Sequence, residues 1–168
     1  HIFTEDGAMS MRSELPKHDE IIFKLNELVE HELAGVVRYT HYSFMIFGYN
    51  RIPVVSWFRS AATETLGHAT QAGEMITMLG GHPSLGIGKL LETHKHDMAE
   101  ILNESMEFEI QGVELYRELL TLAEESGSIT LEEYSRRLIA EEAMHISDID
   151  KMLRRPGDVA QAVKSEAP

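Results

Sequence analysis

A single shift of 77 residues carries Glu32, Tyr39, Glu64 and His68 onto Glu109, Tyr116, Glu141 and His145. Four coincidences at one offset describe two like halves that share one site. Carboxylates and imidazoles recurring at helical spacing are what a carboxylate-bridged two-metal centre needs, each half supplying a Glu from one helix and a Glu/His pair from the next. The chain reads first as an all-α metal protein.

Composition narrows this reading. With 168 residues, 43% of them hydrophobic, the chain can bury one sizeable core, since a domain takes about 100–200 residues. The net charge of −13 and pI near 5.1 argue against a nucleic-acid partner and favour small cations as cargo. Cysteine is absent, which excludes disulfides, thiolate catalysis, thiolate-ligated iron and cysteine-rich zinc modules. No apolar run approaches the roughly 18–20 residues of a membrane span, and the N-terminus lacks the basic-then-apolar order of a signal peptide. A soluble, cytoplasmic protein without membrane contact is expected.

Residues 1–16 are polar, contain Gly7 and Pro16, and are expected to form a disordered, tag-like segment outside the fold. From about Lys17 to Phe47, Ile22, Leu25, Val29, Glu32, Val36, Tyr39, Ser43 and Ile46 advance by steps of three and four, the seam of a packed helix. A second seam follows Pro53 through Phe58, Ala61, Thr65, His68, Ala72, Met75 and Leu79, and Gly80-Gly81-His82-Pro83 ends it. A Gly-punctuated stretch to about Lys89 is long enough to cross from one end of a bundle to the other. The third helix is expected from about Leu90 to Glu125, with Leu102, Met106, Glu109, Val113 and Tyr116 inward. Ser126-Gly127-Ser128 makes a tight link, and the fourth helix, about Leu131 to Arg154, carries Ser135, Leu138, Glu142, His145 and Ile149 on its seam. Two short links around one long one describe two antiparallel helix pairs joined by a crossover, a single bundle over 17–154 with a short polar tail at 155–168.

A buried, ionised carboxylate without a partner costs several kcal/mol, about the scale at which folding fails, so Glu32, Glu109 and Glu142 on apolar seams call for dications. Carboxylates with a few imidazoles suit iron or manganese, and zinc fits the same donors. His145 lies three residues after Glu142, so both face one way. Tyr39 and Tyr116, each seven residues after its Glu, are core residues whose hydroxyls need acceptors, and a ligated carboxylate is the natural one. His18, His31, His41, His94 and His96 are assigned no ligand role, a solvated face being the expectation for those off the seams.

The runs Glu32-Leu33-Ala34 with Tyr39, His68 through Leu79, Gly81-His82-Pro83-Ser84-Leu85, Gly88-Lys89-Leu90, Glu109-Ile110-Gln111-Gly112 and Glu141-Glu142-Ala143-Met144-His145 resemble the bacterioferritins, over about Asn26 to Leu153. The resemblance implies a ferritin-like four-helix bundle that oxidises Fe(II) with dioxygen or peroxide at a di-iron centre and stores the product. It implies Glu32, His68, Glu109, Glu142 and His145 as ligands, with Glu32, Glu109 and Glu142 the catalytic carboxylates. The family's sixth ligand, a bridging Glu three residues before the second-helix His, is Thr65 here. Glu64, next door, is expected to reach the metal if a π-bulge rephases the helix; otherwise Glu64 and Glu141 form an outer pair.

The haem-ligating Met that follows the bridging Glu in that family is Leu66 here, so no haem is expected. A homodimer through the first two helices or a larger homo-oligomer is expected, while the short tail leaves a 24-subunit cage unsupported. Two other functions compete. A rubrerythrin-like peroxidase usually adds a carboxylate where this chain has Gly112, and a degenerate ferritin-like protein, holding one metal or none, is motivated by Thr65.

Overall fold

The computed structural model of the protein describes residues 14–159. The tag-like expectation for the N-terminal segment, and most of the tail, lie outside these residues. Four helices account for the described fold: α1 (His18–Met45), α2 (Arg51–Met78), α3 (Met98–Ser126) and α4 (Ile129–Leu153), with no strand among the described residues. At about 1.5 Å per residue each is roughly 40 Å long. Helix α1 packs on α2, α3 packs on α4, and α1 against α3 joins the pairs. No described helix is long and apolar enough to cross a membrane.

Local chemistry fixes the ends. Helix α2 starts at Arg51, so Pro53 occupies its first turn, where a fixed φ suits the helix. Gly127 ends α3 at φ 74°, a left-handed conformation that glycine adopts without strain. Ser128 then caps α4, accepting from the Leu131 amide at 3.4 Å. The third helix corrects the expectation from sequence. It begins at Met98 rather than near Leu90, because the Asp97 carboxylate accepts from the Ala99 amide at 2.9 Å and caps it there. Leu90 and Leu91 stay exposed, with no helical stripe to bury them.

The crossover between α2 and α3 is tied along α1. The Gly88 amide donates to the Glu30 carbonyl at 2.8 Å and the Ser84 amide to Asn26 Oδ1 at 2.6 Å. A Cβ at Gly88 would lie 2.9 Å from the Glu30 carbonyl oxygen, so only glycine allows this approach. Nearer α3, the Thr93 hydroxyl donates to the buried Glu104 carboxylate, which also accepts from the Tyr42 hydroxyl at 2.9 Å.

Two dry clusters fill the interior. One gathers Leu25, Leu28, Ile76, Leu119, Leu131 and Leu138; the other gathers Tyr42, Val55, Phe58, Ile101, Leu102 and Ile149. Each such side chain contributes about 1.5–3 kcal/mol by leaving water. Their sum supports a layer of buried polar groups, Glu32, Thr65, His68, Glu109 and Glu142. Gly88→Ala tests how much the crossover contact matters. It should lower unfolding free energy in urea by about 1–3 kcal/mol and speed hydrogen exchange of the Gly88 and Ser84 amides; an unchanged midpoint would show that the strap moves freely.

Candidate metal centre

Glu32, Glu109 and Glu142 are 2%, 3% and 3% exposed, and His68 is 2% exposed. They reach one layer because each sits on the inner stripe of a different helix: Glu32 on α1, His68 on α2, Glu109 on α3 and Glu142 with His145 on α4. Glu142 is the centre of the group. Its Oε1 lies 2.9 Å from His68 Nδ1 and its Oε2 3.0 Å from His145 Nδ1. Glu32 Oε2 flanks His68 Nδ1 at 3.8 Å, and Glu109 Oε2 flanks His145 Nδ1 at 3.6 Å.

The outer shell is reciprocal. The Tyr116 hydroxyl donates to Glu32 Oε1 at 2.7 Å, and the Tyr39 hydroxyl donates to Glu109 Oε1. His68 Nε2 meets Glu141 Oε2 at 3.1 Å, while His145 Nε2 meets Glu64 Oε2 at the same 3.1 Å. Each of these contacts has its mate under exchange of residues 77 apart, so the sequence repeat appears in space as a pseudo-two-fold axis through the layer. An Nε2–H held by a carboxylate leaves Nδ1 as the inward donor atom and makes the imidazole a better ligand.

The exchange extends to residues that the seams did not mark. Gly35 pairs with Gly112, and His31 with Phe108. A Cβ at Gly35 would meet Phe108 Cζ at 2.7 Å, and one at Gly112 would meet His31 Nε2 at 3.1 Å. The two rings stack at 4.0 Å and 5°. His31 is therefore packed between α1 and α3 rather than solvated. Burial drives its pKa down to about 4, with Arg38 adding to the drop and Glu142 opposing it. Applying the same offset to glycines and aromatics would have found all four.

The exchange also pairs Thr65 with Glu142. Helix α2 remains regular α-helix through these positions, so Thr65 takes the inner seat at 3% exposure. Glu64, its side chain 48% exposed, approaches His145 from outside. Among the described residues, three sets of donor atoms lie close enough to hold an ion: Glu32, His68 and Glu142; Glu109, Glu142 and His145; and an outer set of Glu64, His68 and Glu141. A cavity of about 320 Å³ lined by Glu64, Glu141, His145 and Asp148 opens onto the outer set between α2 and α4.

The electrostatics show a layer that holds protons when metal-free. Burial raises Glu32 and raises Glu109 well above the usual carboxylate range, the Glu142 charge adding to both. Burial pushes Glu142 up as well, yet the groups that crowd it, Glu109, His145 and His68, hold it well below that range. Burial lowers the two imidazoles, but their carboxylate neighbours outweigh it and raise His68 to about 10 and His145 to about 11.

The donors fit dications on a further observation. His68 Nδ1, although 2.9 Å from Glu142, is buried without a properly aligned hydrogen bond, as a lone pair directed at an ion would be. Metal must displace the imidazole protons, which are held through neutral pH, so affinity rises with pH. Between pH 6 and 9 the apparent affinity for a pair of Co(II) ions should grow by up to about a hundredfold per pH unit, with about two protons released, measured by calorimetry in buffers of differing ionisation heat. Binding without proton release would contradict this picture.

Comparison with known proteins agrees with this geometry. A family model described as the ferritin-like domain matches residues 22–156. A ferritin-like, diiron-carboxylate protein from Bacillus anthracis str. Ames superposes with a TM-score of 0.77 at 25% identity, over 81% of this chain and 96% of that one. A Rhodobacter capsulatus bacterioferritin with a metal-free dinuclear site gives 0.75 at 23% identity, over 80% and 84%. The Desulfovibrio desulfuricans bacterioferritin, whose diiron site was captured in different catalytic states, gives 0.74 at 22%, over 80% and 78%; these last two likenesses speak for the fold alone. No curated protein sequence matches the chain at a significant level.

Proposed function

This chain belongs to the ferritin-like domain family, and from that premise we propose that it takes up Fe(II) as substrate at the inner centre and oxidises it with dioxygen or peroxide, for storage or detoxification. The observation that carries the reading is Glu142 set between two inward imidazole nitrogens, each flanked by one further buried carboxylate. Glu32 and His68 would hold one ion, Glu109 and His145 the other, with Glu142 shared. Iron bound there supplies the one-electron chemistry; manganese or zinc would fit the same donors without serving as that substrate.

The protein's own groups do the rest. Glu141 and Glu64 fix the imidazole tautomers from outside, Tyr116 and Tyr39 hold the terminal carboxylates, and the dry clusters at both ends limit water. Glu64, Glu141 and Asp148 line the approach from solvent, where negative charge draws cations inward. On this reading Glu64 orients His145 and guides iron, in place of the ligand role expected from sequence.

A peroxidase of the rubrerythrin type is disfavoured at Gly112, where His31 Nε2 fills the space a longer side chain would need. A degenerate centre remains the competing reading, and Thr65 is its motive. Haem has no thioether to meet at Leu66, which stands 48% exposed on α2. Phe23, Val37, Phe44 and Leu66 are exposed apolar residues of α1 and α2, which supports assembly with a second copy.

Stopped-flow oxidation of Fe(II) under air decides between oxidation and a decayed site. The wild type should turn over rapidly, and the Glu32→Ala/His145→Ala double variant should fall to the rate of iron in buffer. Equal rates for the two would end the enzyme reading. Glu64→Gln with Glu141→Gln should weaken metal binding by about 10–100-fold without loss of the fold, read by Co(II) titration and circular dichroism; full affinity would remove these carboxylates from the scheme.

A further inference from the structure

A second pair of imidazoles meets away from the buried layer. His41, about 14 Å along α1 from Glu32 at 1.5 Å per residue, faces His96, which stands just ahead of the Asp97 cap of α3. Their ring centres are 6.2 Å apart and their planes cross at 61°. His41 is exposed and His96 half-buried. Neither ring has a hydrogen-bond or ion-pair partner among the described residues, whereas His18, His68, His94 and His145 each meet a protein oxygen. The helical seams gave neither residue a role, because the pairing joins two segments distant in the chain.

Local structure holds both rings in place. The Thr93 hydroxyl donates to the buried Glu104 carboxylate, and the Lys95 amide donates to Thr93 Oγ1 at 3.4 Å. Asp97 is fixed by its cap on the Ala99 amide, so His96 stands between two anchored residues while α1 fixes His41. Donors set in advance lose little freedom on binding. An ion about 2.0–2.1 Å from one nitrogen of each imidazole lies about 3.2 Å from each ring centre, so two rings sharing it are up to about 6.4 Å apart. The observed 6.2 Å is within that reach, and a small turn of the exposed His41 ring closes the angle at the ion. Imidazoles without a carboxylate suit zinc, copper or nickel and not magnesium or calcium, and the chain's charge of −13 draws dications to its surface.

We propose that His41 and His96 hold one divalent transition-metal ion of the zinc or copper type, with water in its remaining positions, at a peripheral site separate from the Glu142 layer. The site joins α1 to the end of the crossover, so an ion there clips the exit of the crossover to the bundle. It does not depend on the two-metal reading of the inner layer.

Zn(II) added to the full chain tests this. Crystals soaked in Zn(II) and recorded at the zinc edge should show a peak between the His41 and His96 rings; ions against His68 and His145 appear as separate peaks, so the two sites are judged independently. In calorimetric titration, His41→Gln and His96→Gln should each lose one Zn(II) per chain or weaken it at least about tenfold, a difference of about 1.4 kcal/mol. His82→Gln, which removes an exposed imidazole outside the pair, should change nothing. Zn(II) should also slow hydrogen exchange of the His94 to Met98 amides several-fold in the wild type and leave it unchanged in His96→Gln. An absence of zinc between the two rings, which would make them an ordinary edge-to-face contact, would overturn the inference. Equal Zn(II) binding in the wild type and both variants, or a loss in His82→Gln matching theirs, would overturn it as well.

Discussion

A carboxylate sealed inside a helical bundle cannot stand alone, and Glu142 is where this fold meets that constraint. It faces His68 and His145 at 2.9 and 3.0 Å, while Glu32 and Glu109 crowd the same layer. Without metal, burial and the Glu142 charge push Glu109 up, and the carboxylate neighbours keep both imidazoles protonated far above their usual range, so protons offset the negative charge. With metal, the same groups become donors. The two hydrophobic clusters keep the layer dry, so the charge must be balanced inside it rather than screened by water.

Reciprocity extends the constraint outward. Tyr116 serves Glu32 and Tyr39 serves Glu109; Glu141 serves His68 and Glu64 serves His145. Each half of the chain therefore orients side chains belonging to the other half, and neither helix pair could form the buried layer alone. The glycines belong to the same logic. Gly35 and Gly112 bring α1 and α3 close enough for Phe108 and His31 to stack across the axis. Where the symmetry fails, at Thr65 against Glu142, the two sides of the centre become chemically different.

Much of this was legible in the chain. Polar residues on apolar seams identified Glu32, His68, Glu109, Glu142 and His145, because an inward Glu on a long helix has few other uses, and the spacing of Gly and Pro gave the bundle and its crossover. What escaped has physical reasons. His31 lies off its seam, and the seam rule assumes a surface there; only the absent side chain of Gly112 lets α3 approach closely enough to half-bury it. Glu64 was expected inward through a helical irregularity that the regular α2 does not contain. Leu90 and Leu91 suggested a helix start, but the Asp97 cap, a local hydrogen bond, sets the boundary.

Anomalous diffraction from crystals soaked anaerobically in Fe(II), recorded at the iron edge, addresses the central claim most directly. The account expects two peaks per chain on either side of Glu142, one against His68 Nδ1 and one against His145 Nδ1. Iron held only by Glu64 and Glu141 outside the imidazoles, or no iron among Glu32, Glu109 and Glu142, would contradict it.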